Sequence, residues 1–159
     1  MMNLPLVSII IPTYGPLGVG LTEACLESLY VSGIRNVRDE RNPNRLSCEI
    51  IVVDDGSDAE TVQSLEQVCA AQGVMELLRC ERNTGHFTRV VNLGMRQANG
   101  HVVILCNNDI EFLPNCVPIL ADAVMNLQIG VAGPKLIYPD QRIQFGGMVY
   151  IPNPRPRGP

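Results

Sequence analysis

The chain has 159 residues, of which 46% are apolar and 18% charged, and its formal net charge is −4. This length suits a single domain, and the apolar fraction is enough for a sizeable core, so the composition excludes wholesale disorder. The negative charge, the absence of Trp and an aromatic content of 4% argue against a nucleic-acid or membrane-surface binder.

Strand and helix patterns alternate from the start of the chain. An apolar, β-branched run over residues 6–11, ended by Pro12, predicts a strand buried on both faces, as is typical of parallel sheets. A helical pattern follows and ends at Gly33. Its predicted buried face consists of Leu21, Cys25, Leu26 and Leu29. The polar segment from Arg35 to Ser47 predicts a surface loop.

A second buried strand is predicted over Cys48–Val53. Ser57 and Glu60 have the spacing of a capping box and predict the start of a helix, which Gly73 ends. The inward residues of this helix are predicted to be Val62, Leu65, Val68 and Cys69.

The alternation continues through the second half of the chain. Strands are predicted over 74–80 and 101–106, and Asn115 is predicted to cap a later helix. Between those two strands lies a helix with the predicted buried face Phe87, Val90, Val91, Gly94 and Ala98. Two strand-like segments, 130–137 and 142–150, are joined by a turn.

This repeated alternation predicts an α/β domain whose mostly parallel sheet is flanked by helices. We expect the domain to cover residues 1–150, with a proline-rich tail over 151–159. The six cysteines contain no C-x-x-C pair and follow no signal peptide, which favours a reducing, cytoplasmic location. No run approaches the ~18–20 apolar residues of a spanning helix, so membrane association would come only through parts outside this chain.

Ligands of parallel sheets bind beyond the carboxyl ends of the strands. Polar residues follow four predicted strands, in the segments 12–15, 54–57, 81–85 and 107–109. A single Asp in such a turn is most commonly a capping or turn residue. Because these turns are expected to share one edge, their carboxylates instead predict a site for Mg²⁺ or Mn²⁺, cations that bridge phosphates.

Two common phosphate-binding motifs are missing. No G-x-x-x-x-G-K-S/T segment occurs, which excludes a P-loop enzyme. The segment 17–20 has two glycines but no third one in the spacing of G-x-G-x-x-G, which argues against a dinucleotide-dependent dehydrogenase.

An ordered series of segments resembles the family 2 inverting glycosyltransferases, which have the GT-A fold, a Rossmann-like fold of nucleotide-diphospho-sugar transferases. The segments are Val7–Tyr14, Cys25–Leu29, Glu49–Ser57, Asn83–Gly85, Asn92–Gly94, Ala98–Gly100, Asn107–Asp109, Gly130–Leu136 and Ile143–Gly147. They extend over nearly all of residues 6 to 148, and the later ones most resemble the rhamnosyltransferase-like branch. The resemblance implies metal-assisted transfer of a sugar, with inversion, from a nucleotide-diphosphate donor to the hydroxyl of a glycan or lipid-linked acceptor, in polysaccharide biosynthesis at the cell envelope.

The resemblance also implies a nucleoside site after the first two strands. Pro12 and Tyr14 would flank the base, with Thr13 between them. Asp55 would accept a hydrogen bond from a base N–H or a ribose hydroxyl, and Asp54 would support it from the strand.

The diphosphate end of the donor would lie further along the chain. Asn83 and Gly85 would line the nucleotide wall, and Arg89 has a guanidinium that suits a phosphate. Asp109 matches the last carboxylate of the family's D-x-D-type motif and would hold a divalent metal, Mg²⁺ or Mn²⁺. Asn108 occupies a position that is often Asp, which lowers the negative charge of the site.

Inversion requires a base that deprotonates the acceptor hydroxyl. In the family this carboxylate lies in a later acidic motif. Asp122, in a predicted helix, and Asp140, in a turn, are poor candidates, so the base is expected beyond Pro159 and the chain alone is expected to give little or no transfer.

Two other functions are consistent with the same residues. The missing base and Asn108 leave open a non-catalytic nucleotide-sugar-binding or assembly module. A sugar-phosphate nucleotidyltransferase would share the sheet and the acidic metal ligands, but it would need a basic residue in the loop over 15–18, which has none.

Overall fold

A computed structural model describes residues 7–36, 46–125 and 129–147. The elements follow in the order β1 (Val7–Thr13), α1 (Gly15–Val31), β2 (Ile34–Asn36), β3 (Leu46–Asp54), α2 (Ala59–Ala71), β4 (Glu76–Arg79), α3 (Phe87–Met95), β5 (Val102–Leu105), α4 (Cys116–Met125), β6 (Leu136–Ile137) and β7 (Ile143–Phe145). Most of the predicted loop over 35–47, the end of the predicted strand over 142–150 and the predicted tail over 151–159 lie outside the described residues.

A parallel sheet forms the centre of the fold, as the alternation predicted. β3 pairs with β1, and β1 pairs with β5. β2 and β4 both pair with the other edge of β3, β2 along its first residues and β4 along its last. The carboxyl ends of β3, β1 and β5 therefore lie side by side, with β1 in the middle.

The sheet is buried on both faces by helices. Ile9 and Ile11 of β1 point to a cluster that includes residues of α1, α2 and α4. Ile10 points to the opposite face, where it packs with Val90 of α3. A Cβ on Gly94 would lie 2.6 Å from the Cγ2 of Ile10, so α3 packs closely against the strands. α1 and α3 thus cover opposite faces of the sheet.

The predicted capping box of α2 is wrong. The helix is capped by Asp58, whose Oδ1 accepts a hydrogen bond from the Thr61 N–H at 2.8 Å. Ser57 donates its backbone N–H and its hydroxyl to the carboxylate of Asp54 instead. The capping role therefore falls on the next residue.

Two residues predicted to be buried are exposed. Leu21 on α1 and Phe87 at the start of α3 are 45% and 53% exposed, respectively. The remaining predicted positions of these helices, such as Cys25 and Val91, are buried. Ala98 lies beyond the end of α3, although it packs against the same cluster as Val90.

Several predicted strand limits also differ. The predicted surface loop begins with part of β2 and ends in β3, because both segments pair in parallel with each other. β4, β6 and β7 are shorter than predicted, and β6 and β7 form a separate antiparallel pair. α4 begins directly after Asn115, as predicted, and Asn115 has a φ of +62°.

The six cysteines all lie in the described ranges, and none of them forms a disulfide bond. Within the described ranges, no helix has the length and apolar character needed to cross a membrane.

Candidate functional site

An open cleft of about 330 Å³ lies beyond the carboxyl ends of β1, β3 and β5. This is the position at which a parallel sheet of this kind binds ligands. Its lining comes from the ends of the three strands, from the first two turns of α1 and from the first turn of α3: Pro12, Thr13, Tyr14, Leu17, Gly18, Leu21, Asp55, Phe87, Val90, Asn107, Asn108 and Asp109.

The structure brings most of the predicted site residues together in this cleft. Those that line it are Pro12, Thr13, Tyr14, Asp55, Asn108 and Asp109. Those that do not are Asp54, Asn83, Gly85 and Arg89.

Asp54 is fully buried and organises the turn behind the cleft. Its carboxylate accepts a hydrogen bond from the Ser57 N–H at 3.0 Å, another from the Ser57 hydroxyl, and lies 3.6 Å from the Nε of Arg79. The Ser57 hydroxyl oxygen accepts in turn from the Gly15 N–H at 2.9 Å. Asp54 therefore fixes the turn after β3 to the start of α1, while its own oxygens are occupied.

Asp55 faces the cleft from the end of β3 and is 8% exposed. Its backbone N–H donates to the Thr13 carbonyl at 2.9 Å, and its Oδ1 accepts from the Thr84 N–H at 2.9 Å. A Cβ on Gly56 would lie 2.2 Å from the backbone carbon of Arg82, so the segment around Asn83 rests directly on this turn. Asn83 and Gly85 are thus the neighbours of Thr84, which holds the Asp55 carboxylate, and neither of them lines the cleft.

The side chain of Asn108 is held inside the wall of the cleft. Its Nδ2 donates to the Thr13 hydroxyl at 3.1 Å and is 3.4 Å from both the Gly18 carbonyl and the Thr22 hydroxyl. A carboxylate at this position would place a negative oxygen against the Gly18 carbonyl. The amide therefore ties the end of β5 to β1 and α1.

Asp109 and Asn107 lie at the exposed part of the cleft after β5. In the spacing of a D-x-D motif that ends at Asp109, Asn107 takes the first position. The Asn107 carbonyl accepts from the Cys106 thiol at 3.0 Å, and the Sγ of Cys106 lies 3.9 Å from that of Cys25. The hydrogen bond with Cys25, together with burial, raises the pKa of the Cys106 thiol, so it remains a neutral donor behind the loop.

The carboxylates of the cleft are the side chains that could bind a hard cation. Across the described part of the chain, no group of three or more His, Cys, Asp or Glu side chains is placed to hold a metal ion. Mg²⁺ and similar hard cations are commonly bound by one or two carboxylates, with phosphate oxygens and water completing the shell. Asp109, exposed at the cleft, is a carboxylate that could act as such a ligand.

Several lining residues were missed by sequence reasoning. The cleft also has apolar lining residues, which are Leu17 and Leu21 on α1 and Phe87 and Val90 on α3. The signal that could have found them is their position in the first two turns of helices that follow strand ends, close to the edge of the sheet that binds ligands.

Comparisons with known proteins were consistent with this geometry. The model of the family described as Glycosyl transferase family 2 matches residues 8–157. An uncharacterised protein of Sinorhizobium fredii is 32% identical over 151 residues, which are 94% of this chain and 15% of that protein. A dolichol-phosphate mannosyltransferase of Pyrococcus furiosus is 30% identical over 120 residues, which are 76% of this chain and 30% of that enzyme.

A solved structure has the same fold. The mannosyltransferase from Pyrobaculum calidifontis, in complex with GDP-Man and Mn²⁺, matches with a TM-score of 0.60 and 22% identity over 87% of this chain and 37% of that one. This similarity confirms the predicted GT-A architecture. The chain spans less than a third of the length of the two curated relatives.

Proposed function

The chain belongs to glycosyl transferase family 2, and we propose that its cleft binds a nucleotide-diphosphate sugar donor for transfer to an acceptor hydroxyl. The observation that carries this proposal is the pairing of Asp55 and Asp109 on the lining of one cleft.

The spacing of the strands suits such a donor. Asp55 follows β3 and Asp109 follows β5. These two strands lie on either side of β1, so they are two strand positions, or about 10 Å, apart. An extended nucleoside diphosphate can reach from one carboxylate to the other. We assign the nucleoside to the end that contains Asp55, and the diphosphate to the end that contains Asp109.

A divalent cation, Mg²⁺ or Mn²⁺, would be held by Asp109 against the diphosphate. The cation would neutralise the charge that develops on the departing nucleoside diphosphate. Without it, the carboxylates of the cleft would repel the phosphates. The presence of Mn²⁺ together with GDP-Man in the mannosyltransferase of the same fold supports this assignment.

The finer features of the reaction follow from the resemblance of the motifs. We propose transfer of a hexose with inversion, to a glycan or lipid-linked acceptor, by a member of the rhamnosyltransferase-like branch that acts in the cytoplasm in polysaccharide biosynthesis for the cell envelope. The donor-binding domain would cover residues 1–150. Among the described residues that line the cleft, the carboxylates are Asp55 and Asp109, and both are assigned to the donor. The base that activates the acceptor would then come from a part of the protein outside this chain, and the chain alone would give little or no transfer.

The proposal is tested by calorimetric titration of the chain with UDP, GDP and dTDP, each with and without Mn²⁺. We expect at least one nucleotide to bind, and to bind more tightly with Mn²⁺. If folded protein binds none of them under either condition, the proposal is wrong.

A non-catalytic donor-binding module is the second candidate, since the cleft carboxylates are both assigned to the donor. The two candidates differ in the activity of the whole protein on nucleotide sugars. Release of free nucleoside diphosphate in the presence of acceptor would exclude the non-catalytic function.

A further inference from the structure

Phe87 is an exposed aromatic residue on the wall of the cleft. We infer that Phe87 contacts the nucleobase of the donor and, with Tyr14, encloses the planar base from two sides. This inference rests on the proposed function, which assigns a nucleoside to this end of the cleft.

The position of α3 explains why Phe87 is available to a ligand. Phe87, Val90, Val91 and Gly94 have the spacing of a single helical face. Val90 is 2% exposed and packs on Ile10 of the sheet, whereas Phe87 is 53% exposed. The apolar face of α3 therefore continues past the strands, and its first turn lies over the cleft.

Tyr14 reaches the cleft from the side of the sheet that α1 covers. It directly precedes α1, which packs on the face opposite to α3, and it is 55% exposed. The hydrogen bond from the Gly15 N–H to the Ser57 hydroxyl fixes the backbone next to it. Two aromatic side chains thus reach one cleft from elements on opposite faces, an arrangement that suits stacking on a flat ring.

The position of Asp55 favours a nucleobase over a sugar as the group that lies between Phe87 and Tyr14. Its Oδ1 is bound by the Thr84 N–H, three residues before Phe87, so the carboxylate and the aromatic ring belong to the same end of the cleft. A nucleobase presents apolar faces for stacking and N–H groups at its edge for a carboxylate. A sugar offers no flat aromatic face, and in a nucleotide sugar it is attached to the diphosphate, which the proposed function assigns to the other end of the cleft.

Replacement of Phe87 by Ala tests the inference. We expect F87A to bind GDP and UDP about tenfold more weakly in the presence of Mn²⁺, because stacking on an aromatic residue contributes an energy of that order. Binding of inorganic pyrophosphate with Mn²⁺, which has no base, should be unchanged. The matched control is I119A on α4, where Ile119 is 65% exposed and lies outside the cleft lining. This control should bind both ligands like the wild-type chain.

A second variant reports stacking directly. The chain contains no Trp, so F87W introduces a unique fluorophore. Addition of GDP with Mn²⁺ should quench its fluorescence and should leave the fluorescence of I119W unchanged.

The outcomes separate this inference from the proposed function. If the wild-type chain binds nucleotides and F87A binds them equally well, or if F87W fluorescence does not respond, the inference is wrong and the proposed function stands. If the wild-type chain binds no nucleotide, both are wrong.

Discussion

Polar side chains gather at both ends of the central strands, and the two groups differ in how completely the protein satisfies them. At the amino end, Glu49 is 1% exposed, and its Oε1 accepts hydrogen bonds from the Ser8 hydroxyl and the Asn99 N–H, both at 2.5 Å. The Ser8 oxygen also accepts from the Gly100 N–H at 2.8 Å. This group, the Glu49 cluster, consists of Ser8, Glu49, Asn99 and Gly100, and it joins β1, β3 and the turn before β5.

At the carboxyl end, Asp54 is also satisfied inside the protein, but Asp55 and Asp109 line the open cleft. Asp55 has one oxygen fixed by a backbone N–H, and Asp109 is exposed at the surface of the cleft. A buried polar group must find its partners inside the protein, whereas a group at an open cleft can find them in a ligand. We therefore expect variants of the Glu49 cluster to change stability and variants of the cleft to change binding.

The largest effect on stability is expected for Glu49→Ala. The substitution leaves the fully buried Ser8 hydroxyl without its acceptor and removes the acceptor of the Asn99 N–H, at a cost on the order of 3 kcal/mol. For a chain of this size the thermal unfolding temperature should fall by about 10 °C. Circular dichroism melts check this, with the exposed Glu66 of α2 replaced by Ala as the control. An unchanged melting temperature for Glu49→Ala would contradict a structural role for the cluster.

Gly100→Ala should have the next largest effect on stability. A Cβ at this position would lie 2.6 Å from the Ser8 nitrogen and 2.8 Å from the Val7 carbonyl carbon. Backbone atoms cannot move away cheaply, so we expect a loss of about 2 kcal/mol in chemical denaturation. Gly20→Ala serves as the control, because nothing lies within 4 Å of its added Cβ. Equal stability of the two variants would show that the turn before β5 is not closely packed.

Asp55→Ala should change both stability and binding, because Asp55 holds the Thr84 N–H and also faces the cleft. Loss of the acceptor for Thr84 should lower stability by about 1 kcal/mol, and loss of the ligand contact should weaken nucleotide binding by about tenfold or more. Asp55→Asn keeps an oxygen for Thr84 and should restore the stability but not the binding. Calorimetry and thermal melts measure the two effects, and recovery of full affinity by the Asn variant would argue against the charged contact.

The smallest effect is expected at Asp58, the cap of α2. Hydrogen bonds from Thr61 lower the pKa of this carboxyl below its ordinary value of 3.8. Since the pKa is lower in the folded state, the stabilisation is present above the ordinary pKa and is lost as the pH falls through the folded value. Asp58→Asn retains the cap without the titration. Melting curves at pH 7 and in strong acid should therefore show Asp58→Asn gaining relative to the wild type in acid, and an identical pH profile would contradict the assignment.

The sequence predicted the parts of the fold that depend on local pattern. Continuous β-branched runs identified β1 and the centre of β3, and the rule that ligands bind at the carboxyl ends of parallel strands located Asp55 and Asp109 in one place. Helical spacing could not show that α1 and α3 extend past the sheet, so Leu21 and Phe87 were predicted to be buried. The exposure of these two side chains depends on how far each helix overlaps the strands in the folded protein, and a local sequence pattern does not contain that information.

Sequence spacing also could not predict which of several possible hydrogen-bond partners a polar side chain would take. Ser57 has the right spacing for a cap, but the carboxylate of Asp54 binds it instead. Asn108 was predicted to line the donor site and to lower its negative charge, and the structure adds that its amide joins β5 to Thr13 and α1. Both outcomes depend on partners that are far apart in sequence or on turns whose geometry the pattern does not specify.

The Asp109→Ala variant tests the central claim most directly, through the ratio of GDP affinity with and without Mn²⁺. For the wild-type chain we predict that Mn²⁺ tightens binding by about tenfold or more, since the cation links the carboxylate to the diphosphate. For Asp109→Ala the ratio should fall to about one, while the melting temperature stays unchanged because the residue is exposed. An equal Mn²⁺ enhancement in folded Asp109→Ala protein would contradict the account and place the cation elsewhere.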